Sequence, residues 1–149
     1  MKMSCKYCGI VDKPHKCPHI KTKWKRDNNR ADKKIYRRIM WQKTRENILE
    51  EYNHICLWSF YIDGIITRAD TVHHIYELIE NETMAYEEYN LIPLRKYQHN
   101  YIHKLYKSNK HELQELLKKM IRSYREGDRT MKKYKTEFKK ISPPYFLDF

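Results

Sequence analysis

Long apolar runs are missing from this chain. No stretch of its 149 residues stays apolar for the ~20 positions that a membrane-spanning helix needs. No apolar segment of leader type lies near the N-terminus either, so a soluble, cytoplasmic protein is the expectation. Internal repeats are also missing. Cysteine is scarce, four in all, and three of them (Cys5, Cys8, Cys17) crowd into the first 17 positions. With no leader the compartment is expected to be reducing, where such a cluster binds metal rather than forming a disulfide framework. Acidic residues are scarce in one region only. Residues 1–45 hold three (Asp12, Asp27, Asp32) against 15 Lys and Arg, while the other 104 residues hold 16 of each sign. The whole net charge of +12 therefore sits in the first third. Such asymmetry points to a polyanion partner, because cations that neutralise phosphates gain affinity by releasing counterions. The length suits one domain with a small appendage, and a hydrophobic content of 40% supports a modest core.

What is present begins with MKMSCKYCGIVDKPHKCPHI. This piece is too short to hold together by burial. Its C-x2-C pair (Cys5, Cys8), with Gly9 available for the tight turn, has the form of a zinc knuckle, and Cys17 supplies a third thiolate. His15 or His19, each two positions from Cys17, would complete the tetrahedron, with His15 favoured because Pro14 stiffens its approach. Residues 21–36 then read as a basic linker or arm without apolar periodicity. Its cations Lys21, Lys23, Lys25, Arg26, Arg30, Lys33 and Lys34, with Arg37 and Arg38 just beyond, are the expected contacts to the polyanion, lying along double-stranded DNA if DNA is the partner.

From about Tyr36 to Tyr52 the pattern becomes helical, with Ile39, Met40, Ile48, Leu49 and Tyr52 on the apolar side. Trp41 and Arg45 are i,i+4 neighbours there, able to form a cation–π pair, although a plain core role for Trp41 is the preferred reading. In ICLWSFYIDGIITRADTVHHI, two β-prone runs flank Asp63-Gly64, which predicts a tight hairpin with His73 and His74 ending a strand. Residues 76–89 read as a long loop and YNLIPL as a short extended piece limited by Pro93. A helix is predicted from about Arg95 to Lys107. Another follows, capped by Ser108 or Asn109, striped by Leu113, Leu116, Leu117, Met120 and Ile121, and ended by Gly127. Residues 128–149 form a basic helical stretch and an aromatic tail.

The helix after Pro93 carries His99 and His103, spaced i,i+4 and so on one face. Two helical histidines alone say little. A strand-end histidine brought opposite them makes a three-nitrogen site that suits a transition-metal ion and leaves positions open for substrate and water. Adjacent strand residues point to opposite faces, so only one of His73 and His74 shares that focus. The other is left to act as a base.

These residues resemble the HNH endonucleases. HisHis, Asn90 in YNLIPL and His99 in YQHNYIH match in order and spacing over roughly Trp41 to Tyr106. The HH…N…H-x3-H pattern is closest to colicin nuclease domains, and VHHI with NLIPL to phage-encoded nucleases found near packaging genes. The resemblance implies an α+β fold, with a ββα-metal (His-Me finger) core, flanking helices and the N-terminal knuckle. It implies His73, His99 and His103 as ligands of a divalent ion (Mg, Mn, Ni or Zn), His74 as general base and Asn90 as a brace that orients it. It further implies phosphodiester hydrolysis of DNA, a phage origin and association with a packaging complex.

One departure is informative. Many members of that family staple the fold with a zinc held by two C-x2-C pairs. The corresponding positions here are Cys56, Ser59, Arg95 and Gln98, so that zinc is expected to be absent. Cys56 becomes an ordinary buried residue, and the hairpin with Trp58, Phe60 and Tyr97 must supply the cohesion. Asp70 and Glu77 lie close enough in sequence to orient a ligand imidazole, with solvation the preferred reading. The expected division is a knuckle over 1–20, an arm over 21–36, a nuclease domain over 37–127 and a C-terminal extension over 128–149. Two alternatives stay open: a catalytically silent DNA-binding clamp, and an RNase or tRNase on the same fold.

Overall fold

Two antiparallel strand pairs and four α-helices are formed by residues 2–5, 8–15 and 38–142, the part of the chain that the computed structural model describes. Internal contacts divide the chain into two units, Met1–Arg30 and Ala31–Phe149. In the first unit, β1 (Lys2–Cys5) pairs with β2 (Gly9–Asp12), with Cys5 opposite Gly9. The knuckle is thus a small hairpin. The arm lies outside the described residues, together with Lys21, Lys23, Lys25, Arg26, Arg30, Lys33, Lys34 and Arg37. Cys17 and His19 lie outside them too. Arg38, exposed, occupies the N-cap of the first helix.

In the second unit α1 spans Ile39–Glu51. Its buried face is Trp41, Ile48, Leu49 and the following Tyr52, whereas Ile39 and Met40 are exposed. The apolar stripe therefore sits about one position away from the one expected, because the tryptophan rather than the aliphatic pair was taken into the core.

No hairpin forms at Asp63-Gly64. Residues 59–63 make a π-helical turn, and every side chain from Cys56 to Ile62 is buried. Burial on all sides removes the periodicity that separates strand from helix, and the core selects the helical form. Gly64 ends the turn at φ 73°, a left-handed value that a side chain adopts only with strain. Between Gly64 and Thr71 the chain touches strand geometry only at the isolated bridge Ile55–Arg68.

β3 (Thr71–His74) and β4 (Leu91–Leu94) form the second antiparallel pair, with Val72 opposite Pro93, His73 opposite Ile92 and His74 opposite Leu91. Pro93 cannot donate to a ladder but is tolerated in a two-stranded ribbon. Between the strands run two short 3₁₀ turns, Glu82–Met84 and Glu88–Asn90. Helix α2 (Lys96–Leu105) follows β4 directly, so the chain order here is strand, strand, helix. α1 packs on both strands and α2 on β3.

Helix α3 (Lys110–Arg125) buries Leu113, Leu116, Leu117, Met120 and Ile121 as its periodicity predicts. Asn109 holds its N-cap position, but the amide donates to the Ile141 carbonyl at 2.7 Å and so ties α3 to α4 (Lys135–Ile141). Tyr134 and Phe138 enter the same core as Trp58, and Tyr134 N–H donates to Tyr61 O, so residues 128–142 close on the body of the unit. No helix among the described residues is long and apolar enough to cross a membrane.

Candidate active site

Strand β3 sends its two terminal histidines in different directions. His73, 2% exposed, meets His99 and His103 with ring centroids 5.1 and 4.9 Å away. One ring nitrogen from each of the three lies within 4.8 Å of the others. His74, 4% exposed, stacks on Trp41 of α1 at 4.7 Å, and its Nε2 lies 2.9 Å from the carbonyl oxygen of Ala85. A carbonyl only accepts, so the neutral His74 ring carries its proton on Nε2 and its lone pair on Nδ1.

Helical spacing brings the other two imidazoles together. His99 and His103 stand one turn apart on α2, with their Nε2 atoms separated by 3.3 Å. The Nδ1 of His103 lies 3.3 Å from Glu77 Oε1, and that of His99 makes a long 3.5 Å contact to Asn100 Oδ1. Both acceptors call for Nδ1–H, which leaves two Nε2 lone pairs facing each other. Like dipoles at that distance repel unless a cation lies between them. A separation of 3.3 Å also suits two nitrogens each ~2.1 Å from one shared ion. The residues present therefore fit a divalent metal.

Charge states agree. Burial first, then the neighbouring imidazoles, pushes the His73 pKa well below its ordinary value. Burial followed by His103 brings His99 down to about 4. For His74 burial lowers the pKa, and the Ala85 hydrogen bond opposes it. Neutral imidazoles are what both ligation and general-base work require.

Asn90 is fully buried and makes three side-chain hydrogen bonds. Its Nδ2 donates to Tyr76 O at 3.2 Å and Met84 O at 3.1 Å, and its Oδ1 accepts from Tyr76 N–H at 2.7 Å. These bonds pin both ends of the loop that carries the Ala85 carbonyl. Glu77, for which solvation was expected, instead faces His103 and accepts from Lys110 Nζ at 2.7 Å. Asp70 accepts from Thr71 Oγ1, and its backbone carbonyl takes the Arg45 guanidinium, while Trp41 serves the core and His74.

Two site residues escaped sequence reasoning. The hydroxyl of Tyr106, just after α2, lies 3.2 Å from His73 Nε2, and Gln114 of α3 reaches Ile75 O at 3.0 Å. For Tyr106 a signal existed, since His99, His103 and Tyr106 continue one helical stripe at spacings of four and three. Gln114 is a polar residue among buried apolar ones.

Cys56, Ser59, Arg95 and Gln98 also converge. Ser59 Oγ donates to Cys56 Sγ at 3.4 Å, Arg95 N–H to the same sulfur at 3.3 Å, and Gln98 Nε2 to Ser59 Oγ at 3.3 Å. Hydrogen bonds thus supply cohesion that was expected from the hairpin and three aromatic rings. Trp58 and Phe60 do join the core, but Tyr97 is 64% exposed.

In the N-terminal unit Cys5, Cys8 and His15 offer ligand atoms within 4.8 Å of one another. His15 Nε2 is buried with no hydrogen-bond partner among the described residues. An orphaned imidazole nitrogen beside two thiols is costly without an ion. The fit to zinc is good.

No protein-family model matches this chain, and no curated protein matches it in sequence. Among solved structures the chain is similar to an HNH endonuclease from the deep-sea thermophilic bacteriophage GVE2, crystallised with a manganese ion. Identity is 28% and the TM-score 0.46, over 48% of this chain and 76% of that one.

Proposed function

We propose that this chain is a metal-dependent endonuclease of the ββα-metal type that hydrolyses phosphodiester bonds in double-stranded DNA. The observation that carries the reading is the division of labour at the end of β3. His73 joins two helical imidazoles around a point that suits a cation, while His74 is held apart with Nε2–H committed to the Ala85 carbonyl.

His73, His99 and His103 would hold the ion, which when bound supplies Lewis-acid stabilisation of charge on the scissile phosphate. His74 takes the proton of the attacking water at Nδ1. The partial negative charge of the Ala85 carbonyl stabilises the imidazolium that results. Asn90 keeps that carbonyl in place through the neighbouring Met84 and acts as a positioning residue. Stacking on Trp41 fixes the plane of the base.

The N-terminal unit supports binding rather than chemistry. Cys5, Cys8 and His15 would hold a structural zinc, with Cys17 as the fourth ligand. The cationic stretch from Lys21 to Arg38 would lie along phosphates. A phage origin and service to a packaging complex belong to the same proposal, supported by the VHHI and NLIPL stretches.

Digestion of supercoiled plasmid and of structured RNA with manganese or magnesium tests the reading. Wild type should nick or linearise the plasmid. His74→Ala should lose ~10²- to 10⁴-fold in rate while binding metal with near-normal affinity by calorimetry. Cleavage by the variant within about threefold of wild type would remove His74 from the base role. Cleavage of RNA alone would reassign the substrate.

A further inference from the structure

Tyr106 and Gln114 have no part in the scheme above, yet both are buried against the cluster. The Tyr106 hydroxyl has a single hydrogen, and it goes to Ile75 O at 2.9 Å. Gln114 Nε2 donates to the same carbonyl at 3.0 Å, so two side chains hold it. With its hydrogen committed, the Tyr106 oxygen acts as an acceptor toward His73 Nε2, 3.2 Å away. Donation to Ile75 O and acceptance from His73 give the chain of bonds one direction. A histidine that ligates a metal is neutral and carries a single ring proton, on the nitrogen that the ion does not use.

We infer that Tyr106 is a positioning residue that locks His73 in the Nε2–H tautomer, so that Nδ1 is the nitrogen this histidine offers to a metal ion. The inference rests on the metal-site reading proposed above and says which atom that site uses. The consequence is a mixed ligand set. Glu77 and Asn100 hold the protons of His103 and His99 on Nδ1 and leave Nε2 to the ion. Tyr106 does the opposite for His73. His99 and His103 project from α2, whereas His73 projects from β3, so the three rings approach the focus from two different elements. Ile75 O, two residues along the same strand direction, gives the tyrosine a fixed anchor.

Long-range proton–nitrogen spectra of the full chain with labelled histidine read this directly. Without metal, His73 should show a protonated Nε2 and a bare Nδ1. Added zinc should move the Nδ1 resonance of His73 and the Nε2 resonances of His99 and His103. Tyr106→Phe should give His73 a mixture of tautomers and weaken zinc binding ~10- to 100-fold, followed on the His73 signals. A wild-type His73 protonated on Nδ1, zinc bound at its Nε2, or an unchanged tautomer and zinc affinity in Tyr106→Phe would each overturn the inference. Should the variant fail to fold, the wild-type spectra decide alone. A chain showing these spectra but cutting no nucleic acid would sink the nuclease reading and leave the tautomer assignment standing.

Discussion

His74 and Asn90 never need to touch for one to govern the other. His74 Nε2–H donates to Ala85 O at 2.9 Å, and Asn90 Nδ2 donates to Met84 O at 3.1 Å, so consecutive carbonyls of one loop hold the proposed base and its proposed brace. The two lie at the same end of the strand pair, at the end of β3 and just before β4, where His74 stands opposite Leu91.

Removing the brace should therefore damage both rate and stability. Asn90→Ala leaves Tyr76 N–H and two carbonyls without their side-chain partner in a buried site. The expected loss is about 2–3 kcal/mol in urea unfolding, with cleavage reduced and the affinity of the three-histidine site for zinc near wild type. A variant that unfolds like wild type and cuts at full rate would show that the loop holds His74 without help.

Acid should destabilise the metal-free protein before any carboxylate titrates. His99 is depressed to about 4, and His73 and His74 are also lowered. The unfolded chain takes up protons as pH falls through about 6.5, whereas the folded state does not until near the lowered values, so stability is complete above that window and declines within it. Tm should fall by about 5 °C or more between about pH 7 and about pH 5. His99→Gln should flatten part of this slope. An equal Tm across the window would contradict the burial of these imidazoles.

The knuckle should load its own ion. Metal analysis after the histidine site is stripped should find one zinc in wild type and none in a Cys5→Ser, Cys8→Ser protein, since thiolates hold zinc far more tightly than hydroxyls do. Unchanged stoichiometry would remove Cys5 and Cys8 from any ligand set.

The legible parts of this fold are those with a period. Leu113 to Ile121 repeat every three or four positions, and α3 buries them. His99 and His103 share a face for the same reason, and the parity of a strand separates His73 from His74. Legibility failed where burial was complete. The run from Cys56 to Ile62 has no polar side to betray its geometry, so strand-prone residues folded as a π-turn ended by Gly64. It failed again where the partner is a backbone carbonyl. Neither Ala85 O under His74 nor Ile75 O under Tyr106 leaves any trace in residue type.

The junction of Cys56, Ser59, Arg95 N–H and Gln98 carries one more implication. It joins the buried π-turn to the start of α2 with atoms the chain makes for itself. Scaffold and reagent are thereby decoupled. A chelator should disarm the three-histidine centre while residues 38–142 keep their circular dichroism. Returning the ion should then restore function at the speed of diffusion and coordination, with no refolding to wait for.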